Sequence, residues 1–442
     1  MSDGARGLPP QAESARVLGL THEGEGVVRG GKTVFIPGAL PGERVRFVRA
    51  RRRRQHDEGR LLEVLEASPE RVAPRCAHFG VCGGCVLQHL QAGAQLAAKQ
   101  QELADSLERL GGLTCPEWLA PVTGAVWGYR RRARLGAKYV AKKDRVVIGF
   151  RERNAPYVAD LNRCEVLNEA VGGLIAPLGA LISALDIRAQ LPQIEVAVAE
   201  NATALVLRVL AAPTAADLAR LRAFAAQHRV RWYLQSGGPQ TVAPLDALAS
   251  EPLYYTLPEF NLRVEFAPTD FVQINAAVNR ALVARAVALL APAAGDAVLD
   301  LYCGLGNFTL PLARAGAQVV GVEGERSLIE RARHNAALNG LASAEFHVAD
   351  LAVAPEPSAP WLRHHYSHVL LDPPRIGARA VLPLLAALRP QRILYVSCHP
   401  GSLARDLGVL VHEHGFKLEA AGVIDMFPHT GHVESLALLQ AS

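Results

Sequence analysis

A chain of 442 residues is too long for a single hydrophobic core, so two or three domains are expected. Half of its residues are hydrophobic and a fifth are charged, which fits a soluble, well-packed protein, and the longest apolar runs, such as 281–293, are broken by Arg285, which excludes a membrane span. The net charge of +5 hides an asymmetry: residues 44–60 carry a local balance of +6 and residues 121–163 one of +8, so a polyanionic partner is expected for the basic half.

The polar, Pro-containing start offers no secretory signal, which makes the cytoplasm the expected location. Seven cysteines, an odd number in such a chain, argue against a disulfide framework. From residue 15 the chain reads as five short β-segments, 15–20, 26–29, 32–36, 44–50 and 60–66, separated by glycine turns. That pattern predicts a small closed barrel of the oligonucleotide-binding type over 14–68. The run Arg51–Arg54 is placed in a loop at its edge, beside Phe47 and His56, as a phosphate contact or else a solvated loop.

Next come Cys76, Cys82, Gly83, Gly84 and Cys85, with Cys164 far downstream. Four thiolates fit zinc or a four-iron cluster, and the uneven spacing is unlike paired zinc knuckles. A helical pattern at 91–110, extending to 112 at its widest, has Leu96, Leu103, Leu107 and Leu110 at helical spacing and is expected to pack on the last domain. Residues 129–163 read as a basic hairpin or meander, and 165–265 alternate helix and strand without a motif. Together, 69–265 are predicted to form an α+β middle domain.

From 266 to 442 the alternation is regular: strands at 297–302, 318–322, 345–348, 368–371 and 393–397, with helices at 308–315 and 326–339. This predicts a parallel sheet covered on both faces. Between Val298 and Thr309 a buried strand runs into a turn where Gly304 and Gly306 leave the backbone bare to a ligand. Glu323 closes the next strand, where an acid accepts hydrogen bonds from ribose hydroxyls. Both features suit NAD and S-adenosylmethionine, but the third glycine of the dinucleotide fingerprint is missing, which favours the methyl donor.

Asp372 ends an apolar strand and precedes Pro373 and Pro374, which make a rigid rim. Cys398 falls at the tip of the following strand, just before a helix expected at 401–413, and a helix N-terminus lowers a thiol pKa. Read alone, Asp372 is also a plausible helix cap and Cys398 an apolar filler. Chemistry links them. C5 of uracil becomes nucleophilic when a thiolate adds to C6; C5 then takes a methyl group, and a base removes its proton so that the thiol can leave. Cys398 suits the nucleophile, and Glu434, at the start of the apolar strand 435–439, suits the base.

The segments Asp300–Thr309, Leu371–Gly377, Val396–Asp406 and His429–Glu434, with Phe271–Asn275, resemble the RNA uracil-5-methyltransferase family over about residues 15–440. The resemblance implies an α/β class I (Rossmann-like) methyltransferase domain at 266–442, an N-terminal OB-like β-barrel of the TRAM type, and a middle domain carrying an iron–sulfur cluster. It implies that Gln273, Tyr302, Glu323 and Asp372 touch S-adenosylmethionine, with Asn307 and Asp350 beside them. His399 departs from the family, which usually has Asn beside the nucleophile. The four cysteines resemble the subgroup that modifies large-subunit ribosomal RNA, which makes a [4Fe-4S] cluster on Cys76, Cys82, Cys85 and Cys164 the expectation, ahead of zinc. The barrel points to 23S ribosomal RNA and its uridine 1939, the alternatives being uridine 747 or transfer-RNA uridine 54. Readings from other classes are an iron–sulfur NAD oxidoreductase and a non-catalytic RNA-binding protein. A monomer with no membrane and no obligate protein partner is expected.

Overall fold

The computed structural model describes residues 11–246 and 251–441. They group into two compact units, residues 11–99 with 152–155 and 427–432, and residues 100–151, 156–246, 251–426 and 433–441.

The first unit holds a six-stranded sheet made of β1 (Glu13–Arg16), β2 (Gly19–Leu20), β3 (Glu25–Val28), β4 (Val34–Pro37), β5 (Arg44–Arg52) and β6 (Asp57–Glu66). Their order is β1-β5-β6-β4-β3-β2. β1 and β2 are halves of one segment, so pairing of β1 with β5 and of β2 with β3 joins the two edges. Alternation decides what faces inward: Val45 and Phe47 of β5 join Val17, Val28, Val34 and Ile36 in the core, while Arg44 and Arg46 face water. Gly59 is required by this packing, because a Cβ there would lie 2.8 Å from Ile36 Cγ1.

Two expectations change here. Arg51 and Arg52 continue β5 instead of lying in a loop, and only Arg53 and Arg54 belong to the turn. Phe47, expected beside that run, is a core residue, and Phe35 is the ring that packs against His56, at 4.8 Å.

Helix α1 (Ala92–Gly111) begins in the first unit and ends in the second. There the chain forms β7 (Glu117–Trp118), β8 (Arg132–Val140), β9 (Arg145–Gly149), α2 (Glu169–Gly172), α3 (Ile175–Ser183), β10 (Gln193–Val198), β11 (Thr203–Arg208), α4 (Ala215–His228), β12 (Val230–Gln235), β13 (Val242–Pro244), β14 (Leu253–Leu257) and β15 (Leu262–Phe266). β8 and β9 are the expected basic hairpin, at the edge of a mixed sheet ordered β13-β12-β11-β10-β8-β9.

The remaining elements are α5 (Ala276–Leu290), β16 (Ala297–Leu301), α6 (Thr309–Arg314), β17 (Gln318–Glu323), α7 (Arg326–Leu338), β18 (Ala344–Val348), β19 (His368–Leu371), α8 (Leu382–Leu388), β20 (Arg392–Ser397), α9 (Pro400–His412), β21 (Phe416–Ile424) and β22 (Glu434–Ala441). They build an eight-stranded sheet ordered β18-β17-β16-β19-β20-β22-β21-β7. β16 to β20 run parallel, as expected, whereas β22 is antiparallel to both β20 and β21. Chain order reverses between β16 and β19, which opens a crevice at the carboxyl ends of those strands. The C-terminal end of α1 lies on α9 at glycines: a Cβ on Gly408 would meet Gly111 O at 2.9 Å.

Candidate active site

Strand register assembles the reacting groups. Leu301 pairs with Leu371 and Leu371 with Tyr395, so Tyr302, Asp372 and Val396 follow at one level of the crevice. Across the antiparallel pair, Ser397 faces Ser435, and Cys398 and Glu434 are the next residues on either side, near enough for the Glu434 charge to act on the thiol. Glu434 is 7% exposed, while Asp372 and Cys398 are half-buried. The thiol feels both carboxylates.

The glycine turn is built by strain and by side-chain bonds. Tyr302 has φ 65°, a left-handed conformation that costs an aromatic residue about 1–2 kcal/mol and that marks functional turns. Gly306, at φ 96°, admits no other residue cheaply. A Cβ on Gly304 would meet nothing within 4 Å, so its backbone faces open space. Its N–H donates to Glu323 Oε2 at 3.2 Å, and Glu325 N–H donates to Glu323 Oε1 at 3.1 Å, which fixes that carboxylate at the mouth of the turn. Where a dinucleotide fingerprint would have its third glycine, Thr309 donates to the buried Asp300 at 2.5 Å.

Asn307 is cross-bonded to Asn279 at 2.9 and 3.0 Å and accepts from Tyr255 OH at 2.8 Å. Arg131 lies 4.6 Å over the Tyr255 ring and donates to the Gln273 carbonyl at 2.7 Å, so one network holds Gln273 and Asn307. Tyr302 OH donates to Leu351 O at 3.2 Å. Asp350 is exposed, and its carboxylate accepts from Ala352 N–H at 2.9 Å; its charge still reaches the Tyr302 phenol, which burial first, then Asp406, Glu323 and Asp350, push up to about 12.

Electrostatics correct one expectation. Burial, then Glu434 and Asp372, raise the Cys398 thiol pKa, with Arg375 opposing. His399 is the N-cap of α9, so Cys398 sits just before the helix, and two nearby carboxylates outweigh the partial positive charge of its first turn. Desolvation also pushes Asp372 up to about 7. Asp300 reaches about 7 through burial first, with Asp372 and Glu323 adding to the shift. Cys303, fully desolvated, is pushed far higher than its ordinary value and is an inert packing thiol.

Residues 256–442 match the family described as tRNA (Uracil-5-)-methyltransferase. A protein of Alkalilimnicola ehrlichii named 23S rRNA (uracil(1939)-C(5))-methyltransferase RlmD is 51% identical over 98% of this chain and 98% of its own length. The chain belongs to the RNA uracil-5-methyltransferase family. A uracil-5-methyltransferase of the same name from Nitrosococcus oceani is 50% identical over 98% of the chain and 97% of its own. The crystal structure of the Pyrococcus abyssi tRNA (uracil-54, C5)-methyltransferase with S-adenosyl-L-homocysteine shares the fold, with a TM-score of 0.74 at 24% identity over 97% of this chain and all of the other. The eight-stranded sheet is therefore a class I methyltransferase sheet.

His399, where uracil-5-methyltransferases usually have Asn, keeps the capping bond: its Nδ1 accepts from Ser402 N–H at 3.1 Å. Imidazole replaces amide without loss of the acceptor. No disulfide involves any of the seven cysteines. Cys85 and Cys164 are buried, and Gly84 N–H donates to Cys82 Sγ at 3.4 Å. Among the described residues, no group of three or more His, Cys, Asp or Glu side chains is already drawn together around a metal position. No helix of the described residues is long and apolar enough to cross a membrane.

Several supporting residues carry little sequence signal. Asp300 is visible in the sequence only as an acid inside an apolar strand, and Asn279 as an ordinary helix residue. Arg131 and Arg132 belong to a stretch that reads only as a basic hairpin or meander, yet Arg131 is 5% exposed and Arg132 donates to Pro268 O.

Proposed function

We propose that this chain transfers a methyl group from S-adenosylmethionine to C5 of uridine 1939 in 23S ribosomal RNA through a covalent Cys398–C6 adduct. What supports this most is the β20–β22 register that sets Cys398 against Glu434, beside Asp372 and the open glycine turn. Near full-length identity to relatives bearing that activity in their names supports the substrate.

Gln273, Tyr302, Asn307, Glu323, Asp350 and Asp372 would hold the donor, which supplies an electrophilic methyl group when bound. When bound, the positive charge of the donor would offset the negative field that Glu434 and Asp372 place on the Cys398 thiol and favour its ionisation. The thiol loses its proton to solvent, and the thiolate sulfur forms a bond to C6. The ring's electron pair moves to C5, which takes the methyl group as the donor's carbon–sulfur bond breaks. Glu434 then accepts the C5 proton; the electrons of that C–H bond reform the C5–C6 double bond and expel Cys398 as thiolate. Glu434, almost fully buried, is screened from water that would otherwise compete for the task.

We read residues 14–68 as the TRAM-like RNA-binding barrel, 69–265 as the middle domain and 266–442 as the catalytic domain. Arg51–Arg54 would contact phosphates. Cys76, Cys82, Cys85 and Cys164 would hold a [4Fe-4S] cluster; four thiols outside any disulfide suit that group, and zinc is the second reading. Such a protein works in the cytoplasm as a monomer. Mapping 5-methyluridine in ribosomal and transfer RNA from cells lacking the gene tests the assignment: loss at 23S uridine 1939 is expected. Loss only at uridine 747 or at transfer-RNA uridine 54 would reassign the substrate.

A further inference from the structure

The segment after Asp372 is held by hydrogen bonds along its whole turn. Gly377 N–H donates to Pro374 O at 2.8 Å, closing a turn with Arg375 and Ile376 at its corners. Helix α9 holds that turn from beneath. Ser402 Oγ donates to Arg375 O at 2.9 Å, and Arg405 Nη2 donates to Ile376 O at 2.8 Å. Ala378 N–H donates to Asp406 Oδ2 at 2.8 Å, and Tyr395 OH donates to the same oxygen at 2.7 Å. Gly377 has φ +88°, and a Cβ there would lie 2.4 Å from Asp406 Oδ2, so nothing but glycine fits the anchor.

Anchoring both corner carbonyls sends the Arg375 and Ile376 side chains outward. Ile376 is 72% exposed, the highest value for a large apolar side chain among the described residues. A flexible loop would fold such a side chain away from water; this turn cannot. The tip also sits at the site, since the charge of Arg375 is felt by the Cys398 thiol. A cation beside an apolar side chain, both presented from an anchored backbone, matches a nucleic-acid strand, with phosphate for one and a base face for the other.

We propose that the Arg375–Ile376 tip positions the RNA. Arg375 takes a phosphate next to the target uridine, and Ile376 packs against the neighbouring base, wedging the stack open so that the uridine can reach Cys398. Chemistry on a base requires it to leave its stack, and an apolar wedge lowers the cost of the gap. This inference rests on the methyltransferase reading.

The test uses the full-length protein and a 23S transcript hairpin containing uridine 1939, with 2-aminopurine at the adjacent position. Wild-type protein should methylate this RNA and raise the 2-aminopurine fluorescence on binding. Ile376→Ala should lose that rise and increase KM for RNA about tenfold, in line with the loss of part of one buried apolar contact. Its affinity for S-adenosylmethionine should not change, and Ile376→Val should restore most of the signal. Arg375→Gln should reduce the salt dependence of RNA binding by about one neutralised phosphate while the fluorescence rise persists. Wild-type fluorescence and KM in Ile376→Ala would overturn the wedge, as would a matching loss of donor affinity, which would make the turn a support for the donor site. If wild-type protein failed to methylate the hairpin, the methyltransferase reading would fall first and the wedge with it.

Discussion

Ser397 on β20 faces Ser435 on β22, and this antiparallel pair brings the next residues, Cys398 and Glu434, into electrostatic reach of one another. Covalent addition at C6 and proton removal at C5 act on adjacent ring carbons, so a nucleophile and a base one strand spacing apart suit one pyrimidine. Cys398→Ala should lower turnover at least about ten-thousand-fold, the scale of losing a covalent nucleophile. Donor affinity measured by calorimetry should change little. Retained methylation would rule out the covalent route.

Glu434→Gln leaves the thiol and removes the proton acceptor. The expected result is a protein–RNA adduct that survives denaturing electrophoresis and accumulates in the presence of donor. Fast turnover without adduct would take Glu434 out of the mechanism.

Asp372, which burial pushes up to about 7, is partly protonated at neutral pH. A bound cation favours the carboxylate, so donor binding near pH 7 should release protons, and affinity should rise as pH increases through 7. Calorimetry in two buffers of different ionisation enthalpy reads the proton count directly. Proton uptake would contradict the assignment.

Asp300 is fully buried, and its pKa stands at about 7 against an ordinary 3.8. An acid raised in the folded state stabilises fully below its unfolded pKa and loses that contribution as pH rises through the folded value. Stability should therefore fall between about pH 4 and 7. Asp300→Asn should flatten that slope, and its stability relative to wild type should be about 4 kcal/mol more favourable at pH 8 than at pH 4. Chemical denaturation across that range measures the difference.

His399→Ala should cost about 1 kcal/mol by removing the α9 cap, whereas His399→Asn should stay within about 0.5 kcal/mol of wild type. Equal losses in both variants would mean that the ring does more than cap the helix.

Replacing Arg51–Arg54 with Ala should weaken RNA binding and flatten its salt dependence by about 0.7–0.9 for each phosphate that is no longer neutralised. Arg51 and Arg53 already share Glu58, so the change should fall short of what four free arginines would give. An unchanged slope would assign the run to a solvated turn.

The sequence alone determined the class of chemistry. Gly304, Gly306, Glu323, Asp372, Cys398 and Glu434 lie at strand ends or turns, and apolar runs of period two or continuous burial mark those strands without help from distant residues. Glycine turns and strand tips are local features, so they are legible locally.

Tertiary structure decided how those groups tune one another. The antiparallel β22 and its register, the raised pKa of Cys398, the inward turn of Arg131 and the Asp406 anchor under Gly377 all depend on residues brought together from far along the chain. Burial and Coulomb interactions act through space, so the thiol that looks activated by the helix after it has its pKa raised, first by burial and then by Glu434 and Asp372.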